Sequence, residues 1–262
     1  MITSLQNTGI KNVVKLYKSS KDRREQQLFV IEGARELSLA LQSGYNIKSV
    51  YVCRDMFINT KYPNVLDSIQ NNIIFEISAL VFEKIAYREN SDGIVALAEP
   101  KQHDLKDIKL SDNPFIIILE SVEKPGNLGA ILRSADAAAV DAVIICDNQT
   151  DLYNPNVIRS GVGGLFTVQT VICKSEEALE WLKSNRINVY AAELNGAVQY
   201  HKVDYTLPSA IVMGTEADGL TDFWINNSNE RIKIPMNGMI DSLNVSVSTA
   251  IITFEAMRQR GF

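Results

Sequence analysis

The sequence is poor in the residues that build metal centres and histidine-based triads. Its 262 residues include three cysteines and two histidines. Cys53, Cys146 and Cys173 lie far apart and form no CxxC pair, and neither His103 nor His201 completes a zinc-binding spacing with them. Cys146 and Cys173 fall in apolar, strand-like runs, which indicates buried packing. We therefore expect no metal site and no histidine-based triad.

Long apolar runs are also absent. No stretch approaches the roughly 18 residues that a membrane-spanning helix needs. The start of the chain, MITSLQNTGIK, lacks the apolar segment of a secretory signal. A hydrophobic content of 46% and a charged content of 22% are typical of a globular protein in water. The sequence predicts a cytoplasmic protein with no membrane partner.

The glycine fingerprints of common nucleotide-binding enzymes are missing. The chain has no GxxxxGK followed by Ser or Thr, which argues against a Walker-type phosphate cradle. The cluster SGVGG at 160–164 is not GxGxxG, because Phe166 stands where the last glycine belongs. It is more typical of a helix end that precedes a strand at 166. A nucleotide-dependent α/β enzyme such as a dehydrogenase is therefore a weak alternative.

Positive charge is scarce overall but concentrated at the front of the chain. The formal net charge is −5, which argues against a wholly basic nucleic-acid binder. Within residues 1–35, seven basic residues and three acidic ones give a local charge of +4. The basic residues are Lys11, Lys15, Lys18, Lys21, Arg23, Arg24 and Arg35. A phosphate-binding arm and a solvated amphipathic helix both fit this composition.

Short apolar runs alternate with helical patterns from residue 115 onward. The runs that we predict to be strands are FIIIL (115–119), AVIIC (142–146), FTVQTVIC (166–173), NVYAAEL (188–194), AIVMG (210–214) and RIKIP (231–235). Strands that alternate with helices indicate a mainly parallel sheet with helices on both faces.

Three helices of this region have recognisable apolar faces or starts. The first has apolar residues at 128, 131, 132, 135 and 139, and the second covers 175–186 and opens with Ser175 and two carboxylates. The last helix is predicted to carry apolar residues on one side. That side consists of Leu243, Val247, Ala250, Ile251, Phe254 and Met257.

The first hundred residues show the same alternation on a smaller scale. A helix is predicted at 34–44, and strands are predicted at 47–53, 73–78 and 93–99. The segment that follows is polar and bracketed by prolines. We predict a small α/β domain over 1–100, a linker over 101–114 and a larger domain over 115–262.

Four polar or glycine-bearing segments follow predicted strands of the larger domain. They are ESVEKPGNLGAILR (120–133), NGA (195–197), GTEADGL (214–220) and PMNGMIDSLNVS (235–246). Ligands of an open parallel sheet bind beyond the carboxyl ends of its strands, so we expect these loops to gather at one edge.

Three blocks in this order, NLGAILR, MGTEADGL and IPMNGMIDSLNVSVSTAI, resemble the motifs of the SpoU/TrmH branch of the SPOUT RNA methyltransferases. The front of the chain, SLQNTGIKNVVKLYKSSKDRREQQLFVIEGARELSLAL, is similar to the ribosomal-protein-like substrate-binding domain often fused to these enzymes. The resemblance implies methyl transfer from S-adenosylmethionine to a ribose 2′-hydroxyl of ribosomal or transfer RNA. It also implies a C-terminal trefoil knot and a homodimer.

The resemblance carries specific residues with it. The catalytic positions that it implies are Arg133, Asn127, Glu216, Ser242 and Asn244. The cofactor-binding positions that it implies are Leu194, Gly214, Ile234, Met236, Leu243 and Val245. A catalytically inactive RNA-binding assembly factor with the same fold is the alternative function.

The role of Arg133 follows from its chemistry. A guanidinium is effectively never deprotonated in proteins, so a literal general base would need strong help. A safer role is to position the substrate phosphate and to stabilise the developing alkoxide. We expect residues 1–100 to select the RNA and residues 115–262 to dimerise and hold the cofactor.

Overall fold

The computed structural model describes residues 1–57, 60–87, 91–147, 150–194, 198–215, 218–239 and 242–261. The chain divides into two compact units. The first unit contains Met1–Lys101 and Asp151–Thr167, and the second contains Gln102–Thr150 and Val168–Phe262. Residues 151–167 thus group with the first unit, although they lie in sequence within the predicted larger domain.

The elements are numbered along the chain. The α-helices are α1 (Thr8–Lys18), α2 (Ser20–Gln26), α3 (Ala34–Gln42), α4 (Arg54–Phe57), α5 (Ala79–Ile85), α6 (Pro125–Ala137), α7 (Pro155–Gly161), α8 (Gly164–Thr167), α9 (Ser175–Ser184), α10 (Asp222–Asn227) and α11 (Val245–Arg260). The strands are β1 (Phe29–Glu32), β2 (Ile47–Val52), β3 (Ile74–Glu76), β4 (Ile94–Ala98), β5 (Phe115–Glu120), β6 (Ala142–Cys146), β7 (Thr170–Cys173), β8 (Asn188–Ala192), β9 (Val198–Gln199), β10 (Ser209–Met213) and β11 (Glu230–Lys233). Short 3-10 turns cover Pro63–Ser68, Asn71–Ile73, Leu105–Asp107 and Tyr200–Lys202. Among the described helices, none is long and apolar enough to cross a membrane.

The first unit is built on a four-stranded sheet with the order β1-β4-β2-β3. Strand β4 runs antiparallel to β1 and β2, whereas β2 and β3 are parallel. Asn7 caps helix α1, because its side chain accepts hydrogen bonds from two backbone amides of the first turn. Its apolar residues Ile10, Val13 and Leu16 recur at helical spacing and are buried in the core of this unit.

Arg23 corrects the expectation of a freely exposed basic arm. Its guanidinium is buried, with the side chain 4% exposed, and its Nε and NH2 atoms lie 2.7 and 2.6 Å from the carboxylate of Asp151. Lys15 and Lys21 are also paired, with Asp22 at 2.5 Å and Glu25 at 3.7 Å. Arg23 therefore holds the first unit together and is not available to a phosphate.

The second unit is built on a seven-stranded sheet with the order β7-β6-β5-β10-β8-β11-β9. Every pairing in this sheet is parallel. Residues of α9 and α10 pack against β5, β6 and β10, and α11 contacts α6 and β10. The mainly parallel α/β fold is confirmed, and the trefoil knot stays a prediction.

Two predicted elements differ from the structure between residues 135 and 173. The strand predicted at 166–173 starts only at Thr170, because Phe166 lies in the one-turn helix α8 and is buried. A short buried helix and a buried strand cannot be told apart by periodicity. The first predicted helix ends at Ala137, so Ala139, with φ 50°, lies beyond α6 and is exposed.

Helix α11 buries a side other than the apolar side noted in the sequence. Val247 and Phe254 of the predicted face are 46% and 39% exposed. The buried side contains Val245, Thr249, Ile252, Thr253 and Ala256. Thr249 tolerates burial because its hydroxyl donates to the Val245 carbonyl at 2.7 Å. Apolar residues therefore occupy two sides of this helix, and the side noted in the sequence is not the one that packs on the core.

Candidate functional site

A cavity of about 420 Å³ opens at the carboxyl ends of β8, β10 and β11. These strands are neighbours in the sheet, so the loops that follow them meet although they are far apart in sequence. Seven of the predicted site residues line the cavity. They are Leu194, Gly214, Ile234, Met236, Ser242, Leu243 and Val245.

Gly214 allows the loop after β10 to fold back on itself. A Cβ atom at this position would lie 2.2 Å from the carbonyl carbon and oxygen of Gly219 and 2.5 Å from the Leu220 nitrogen. The turn is closed by the Thr215 amide, which donates to the Gly219 carbonyl at 2.9 Å, and Gly219 itself has φ 71°. Position 214 therefore requires glycine because the backbone of Gly219 and Leu220 approaches it closely. The sequence did not reveal this contact.

Glu120 fixes the end of the same loop. This carboxylate is 3% exposed at the carboxyl end of β5. It accepts hydrogen bonds from the Thr221 amide at 2.9 Å and from the Thr221 hydroxyl at 2.6 Å. Sequence reasoning missed this pair, and its signal was a carboxylate at the end of an otherwise apolar run. Glu120 thereby joins the loop at 214–220 to the strand that leads into α6.

The turn between β5 and α6 is also anchored. The Thr150 hydroxyl donates to the carbonyls of Val122 and Glu123 at 2.8 and 2.5 Å. Pro125 then starts α6, where its fixed φ favours the first helical turn. The buried face of α6, which includes Leu132, turns Arg133 outward into solvent.

Two of the predicted catalytic residues are in contact. The Asn244 side-chain amide donates to the Asn127 side-chain oxygen at 3.1 Å. Asn244 also caps α11, because its own side-chain oxygen accepts from the Ser246 amide at 3.0 Å. This contact joins the first and third sequence blocks at the start of two helices.

The remaining predicted catalytic residues are not joined to this pair. Arg133 lies six residues after Asn127 on α6, is exposed, and forms no ion pair with any residue in the described part of the chain. Ser242 is exposed and belongs to the cavity wall. Glu216 and the predicted loop at 195–197 lie outside the described residues.

Comparison with known proteins agrees with this geometry. The model of the SpoU rRNA Methylase family matches residues 114–254, more than half of the chain. The chain belongs to the SpoU rRNA methylase family. The model of the MRM3-like substrate binding domain matches residues 7–96.

Relatives of this chain include enzymes that are named for methylation of 23S ribosomal RNA. It is 28% identical to the 23S rRNA (guanosine(2553)-2′-O)-methyltransferase RlmP of Bacillus subtilis (strain 168) over 254 residues, covering 97% of both chains. It is 37% identical over 176 residues to the 23S rRNA (guanosine-2′-O-)-methyltransferase RlmB of Escherichia coli (strain K12), covering 64% of this chain and 72% of that one.

Solved structures of similar fold can be superposed on nearly the whole of this chain. A crystal structure of an RNA 2′-O ribose methyltransferase superposes with a TM-score of 0.86 at 37% identity, covering 99% of this chain and 98% of that chain. The AdoMet-bound rRNA methyltransferase from Sinorhizobium meliloti gives a TM-score of 0.88 at 29% identity, covering 98% and 97%.

The cavity at the carboxyl ends of β8, β10 and β11 also contains charged residues that sequence reasoning missed. Glu193, Asp218 and Lys233 belong to its wall. Glu193 follows β8 and lies 3.5 Å from the Arg231 guanidinium, while its side chain remains 17% exposed. The available signal was that these charged residues lie at the carboxyl ends of strands or in the loops that follow them, since that edge of the sheet binds ligands.

Two cysteines near this edge are packing residues. Cys146 and Cys173 are register partners at the ends of β6 and β7. A hydrogen bond with Cys173, together with burial, raises the pKa of the Cys146 thiol. Cys146 is buried, and Cys173 is partly exposed. Among the described residues, no group of three or more His, Cys, Asp and Glu side chains has the arrangement of a metal site.

Proposed function

We propose that this protein transfers a methyl group from S-adenosylmethionine to a ribose 2′-hydroxyl of ribosomal RNA. The observation that carries the proposal is the cavity of about 420 Å³, which is formed by loops inside the segment that matches the SpoU family. Relatives that methylate ribose in 23S rRNA support the substrate, and an AdoMet-bound neighbour supports the methyl donor.

The cavity residues fit S-adenosylmethionine. The volume lies within the roughly 300–1,000 Å³ of small-molecule sites. Apolar walls formed by Leu194, Ile234 and Leu243 suit an adenine ring and a methionine chain. The carboxylates of Glu193 and Asp218 can accept hydrogen bonds from ribose hydroxyls or from an ammonium group. When bound, this cofactor supplies an activated methyl group on a sulfonium sulfur.

The protein's own task is then to align the ribose oxygen with that methyl group and to assist removal of the hydroxyl proton. Arg133 is suited to the phosphate next to the ribose, because it is exposed and without a carboxylate partner in the described residues. The contact between Asn127 and Asn244 holds the start of α6 against the start of α11, and Ser242 lies in the wall beside it. Glu216 lies outside the described residues, so its catalytic role rests on the sequence resemblance alone.

A homodimer completes the proposal. Helix α11 presents Val247 and Phe254 to solvent, and Leu243 and Met239 before it are exposed as well. Large apolar side chains exposed on one side of a helix are typical of protein–protein interfaces. A second copy of the chain covers the face, since it lies on the helix that starts at the cofactor cavity.

The first unit is assigned to the RNA. Residues 7–96 resemble a substrate-binding domain, and the exposed cations Lys11, Lys18 and Arg24 remain available for phosphate contacts. The cofactor cavity lies within 115–262, which supports the division of tasks that the sequence predicts. A protein that acts on ribosomal RNA is expected in the cytoplasm.

Cofactor binding and methyl transfer are tested separately. Calorimetry should show binding of S-adenosylmethionine and of its demethylated product, and no binding of a nicotinamide cofactor. Incubation with ribosomal RNA and labelled S-adenosylmethionine should place label on one ribose, which is located by mapping 2′-O-methylation. Cofactor binding without transfer to any RNA would instead favour the inactive assembly factor.

Arg133→Ala should preserve folding and cofactor affinity but reduce methyl transfer. Loss of one preorganised stabilising group typically reduces the rate about a hundred- to a thousandfold. Arg186→Ala is the matched control, because Arg186 is an exposed arginine just before β8, at the opposite end of that strand from the cavity. Full turnover by Arg133→Ala on the true RNA would remove Arg133 from the mechanism.

A further inference from the structure

Three side chains of the first unit form a stack outside the cofactor cavity. The rings of Tyr17 and Tyr87 are 5.6 Å apart between centroids and inclined by 12°. The guanidinium carbon of Arg159 lies 5.7 Å from the centroid of the Tyr87 ring. Such a distance places the cation within the range of attraction to the ring. The stack joins α1, the segment after α5, and α7.

The stack is fixed by hydrogen bonds to buried and neighbouring groups. Glu32, which is 6% exposed, accepts from the Tyr17 hydroxyl at 3.0 Å and from the Tyr87 amide at 3.0 Å. The Tyr87 hydroxyl donates to the Asn156 side-chain oxygen at 3.0 Å. One buried carboxylate thus positions both tyrosines, so that little freedom is lost when a ligand binds on them.

The outer side of the stack is open. Tyr87 is 44% exposed, and Arg159 is exposed. In the described part of the chain, Arg159 has no carboxylate partner. A planar guanidinium next to an exposed aromatic ring is suited to bind a planar group that belongs to a negatively charged chain. An unpaired RNA base has this chemistry, because bases stack on aromatic rings and on guanidinium planes.

We propose that Arg159 and Tyr87 form a platform on which an unpaired base of the RNA substrate stacks. The proposal rests on the RNA substrate argued above and adds the residues that read it. It places the base contact on the stack and leaves phosphate contacts to exposed lysines and arginines elsewhere in the first unit. Contact with the base, not with the phosphate, distinguishes this platform from a general basic surface.

The test compares single-stranded oligoadenylate with the same chain lacking its bases, both bound to the full-length protein. Arg159→Ala should weaken oligoadenylate binding about five- to a hundredfold, which is the effect of losing one stacked base. It should leave binding of the abasic chain unchanged. The slope of affinity against salt concentration should also stay unchanged, because no phosphate contact is lost.

Variants at Tyr87 test the ring itself. Tyr87→Ala should weaken oligoadenylate binding, and Tyr87→Phe, which keeps the ring, should restore it. Tyr62→Ala is the matched control, because Tyr62 is 38% exposed in the same unit and belongs to no stack in the described residues. Equal loss on both oligonucleotides with a flatter salt slope would make Arg159 a phosphate ligand and overturn the platform.

Cofactor calorimetry and methyl transfer separate this proposal from the proposed function. Both platform variants should bind S-adenosylmethionine like the wild type. A wild-type protein that binds oligoadenylate through Arg159 but methylates no RNA would contradict the proposed function and leave the platform standing. A wild-type methyltransferase whose RNA affinity is unaffected by Arg159→Ala and Tyr87→Ala would refute the platform alone.

Discussion

A substitution of Glu120 offers the sharpest test of how the loop at 214–220, which lines the cofactor cavity, is anchored. Glu120→Ala removes a buried carboxylate that accepts two hydrogen bonds from Thr221, at 2.9 and 2.6 Å. Thr221 follows the loop at 214–220 directly and occupies the N-cap position before α10. The substitution therefore releases that end of the loop and exposes no new charge.

The expected size of the effect follows from these contacts. A hydrogen bond to a charged group contributes about 1.5–3 kcal/mol, so two bonds set an upper limit of about 6 kcal/mol. Thr221 is exposed, and water can replace part of what is lost. We therefore expect Glu120→Ala to lower the free energy of unfolding by about 2–4 kcal/mol. Thr221→Val, which removes the hydroxyl alone, should lower it by about 1 kcal/mol.

The assay combines denaturant unfolding with cofactor calorimetry. A released loop must be ordered again on binding, so the Kd for S-adenosylmethionine should rise about five- to thirtyfold in Glu120→Ala. Glu123→Ala is the control, because Glu123 is exposed in the following turn. If Glu120→Ala unfolds within about 0.5 kcal/mol of the wild type, as surface substitutions do, the reasoning about this loop is refuted.

Three further outcomes can be measured. Gly214→Ala should weaken cofactor binding in calorimetry, since its Cβ would lie 2.2 Å from backbone atoms and must displace the loop; wild-type affinity would contradict this. Arg23→Ala should lower the free energy of unfolding by about 3–5 kcal/mol because it leaves Asp151 unpaired. Arg24→Ala should change it by less than about 0.5 kcal/mol, and equal effects would show that Arg23 is not structural. Phe254→Asp should yield folded monomers in analytical ultracentrifugation, unless this face has no partner.

The strands of the second unit were predictable because of where they lie. Strands β5, β6 and β10 have every residue buried, so their sequences are continuous apolar runs bounded by polar turns. Strand β1 was missed, although its four residues are buried too. A buried run of four residues has no alternation to identify it.

The gathering of the site loops could also be predicted, because the carboxyl ends of parallel strands share one edge. Contacts between residues that are far apart in the sequence could not be predicted. Glu120 and Thr221 are 101 residues apart, and Arg23 and Asp151 are 128 residues apart. A count of charges treats Arg23 and Arg24 alike, although one is buried and paired and the other is exposed. Burial of a charge is decided by tertiary contacts that local sequence does not contain.

The two apolar sides of helix α11 carry functional information. Its sequence has apolar residues on more than one side, and the side that faces the core relies on two buried threonines, Thr249 and Thr253. The more apolar side, with Val247 and Phe254, faces solvent in one copy of the chain. A single chain gains nothing from this arrangement, because exposed apolar area raises the free energy of the folded state in water. A second copy that covered the face would remove this disadvantage, and it would place the interface on the helix whose first turn lines the cofactor cavity. Dimer formation and cofactor binding then share one element, so a substitution that separates the subunits is expected to weaken the cofactor site as well.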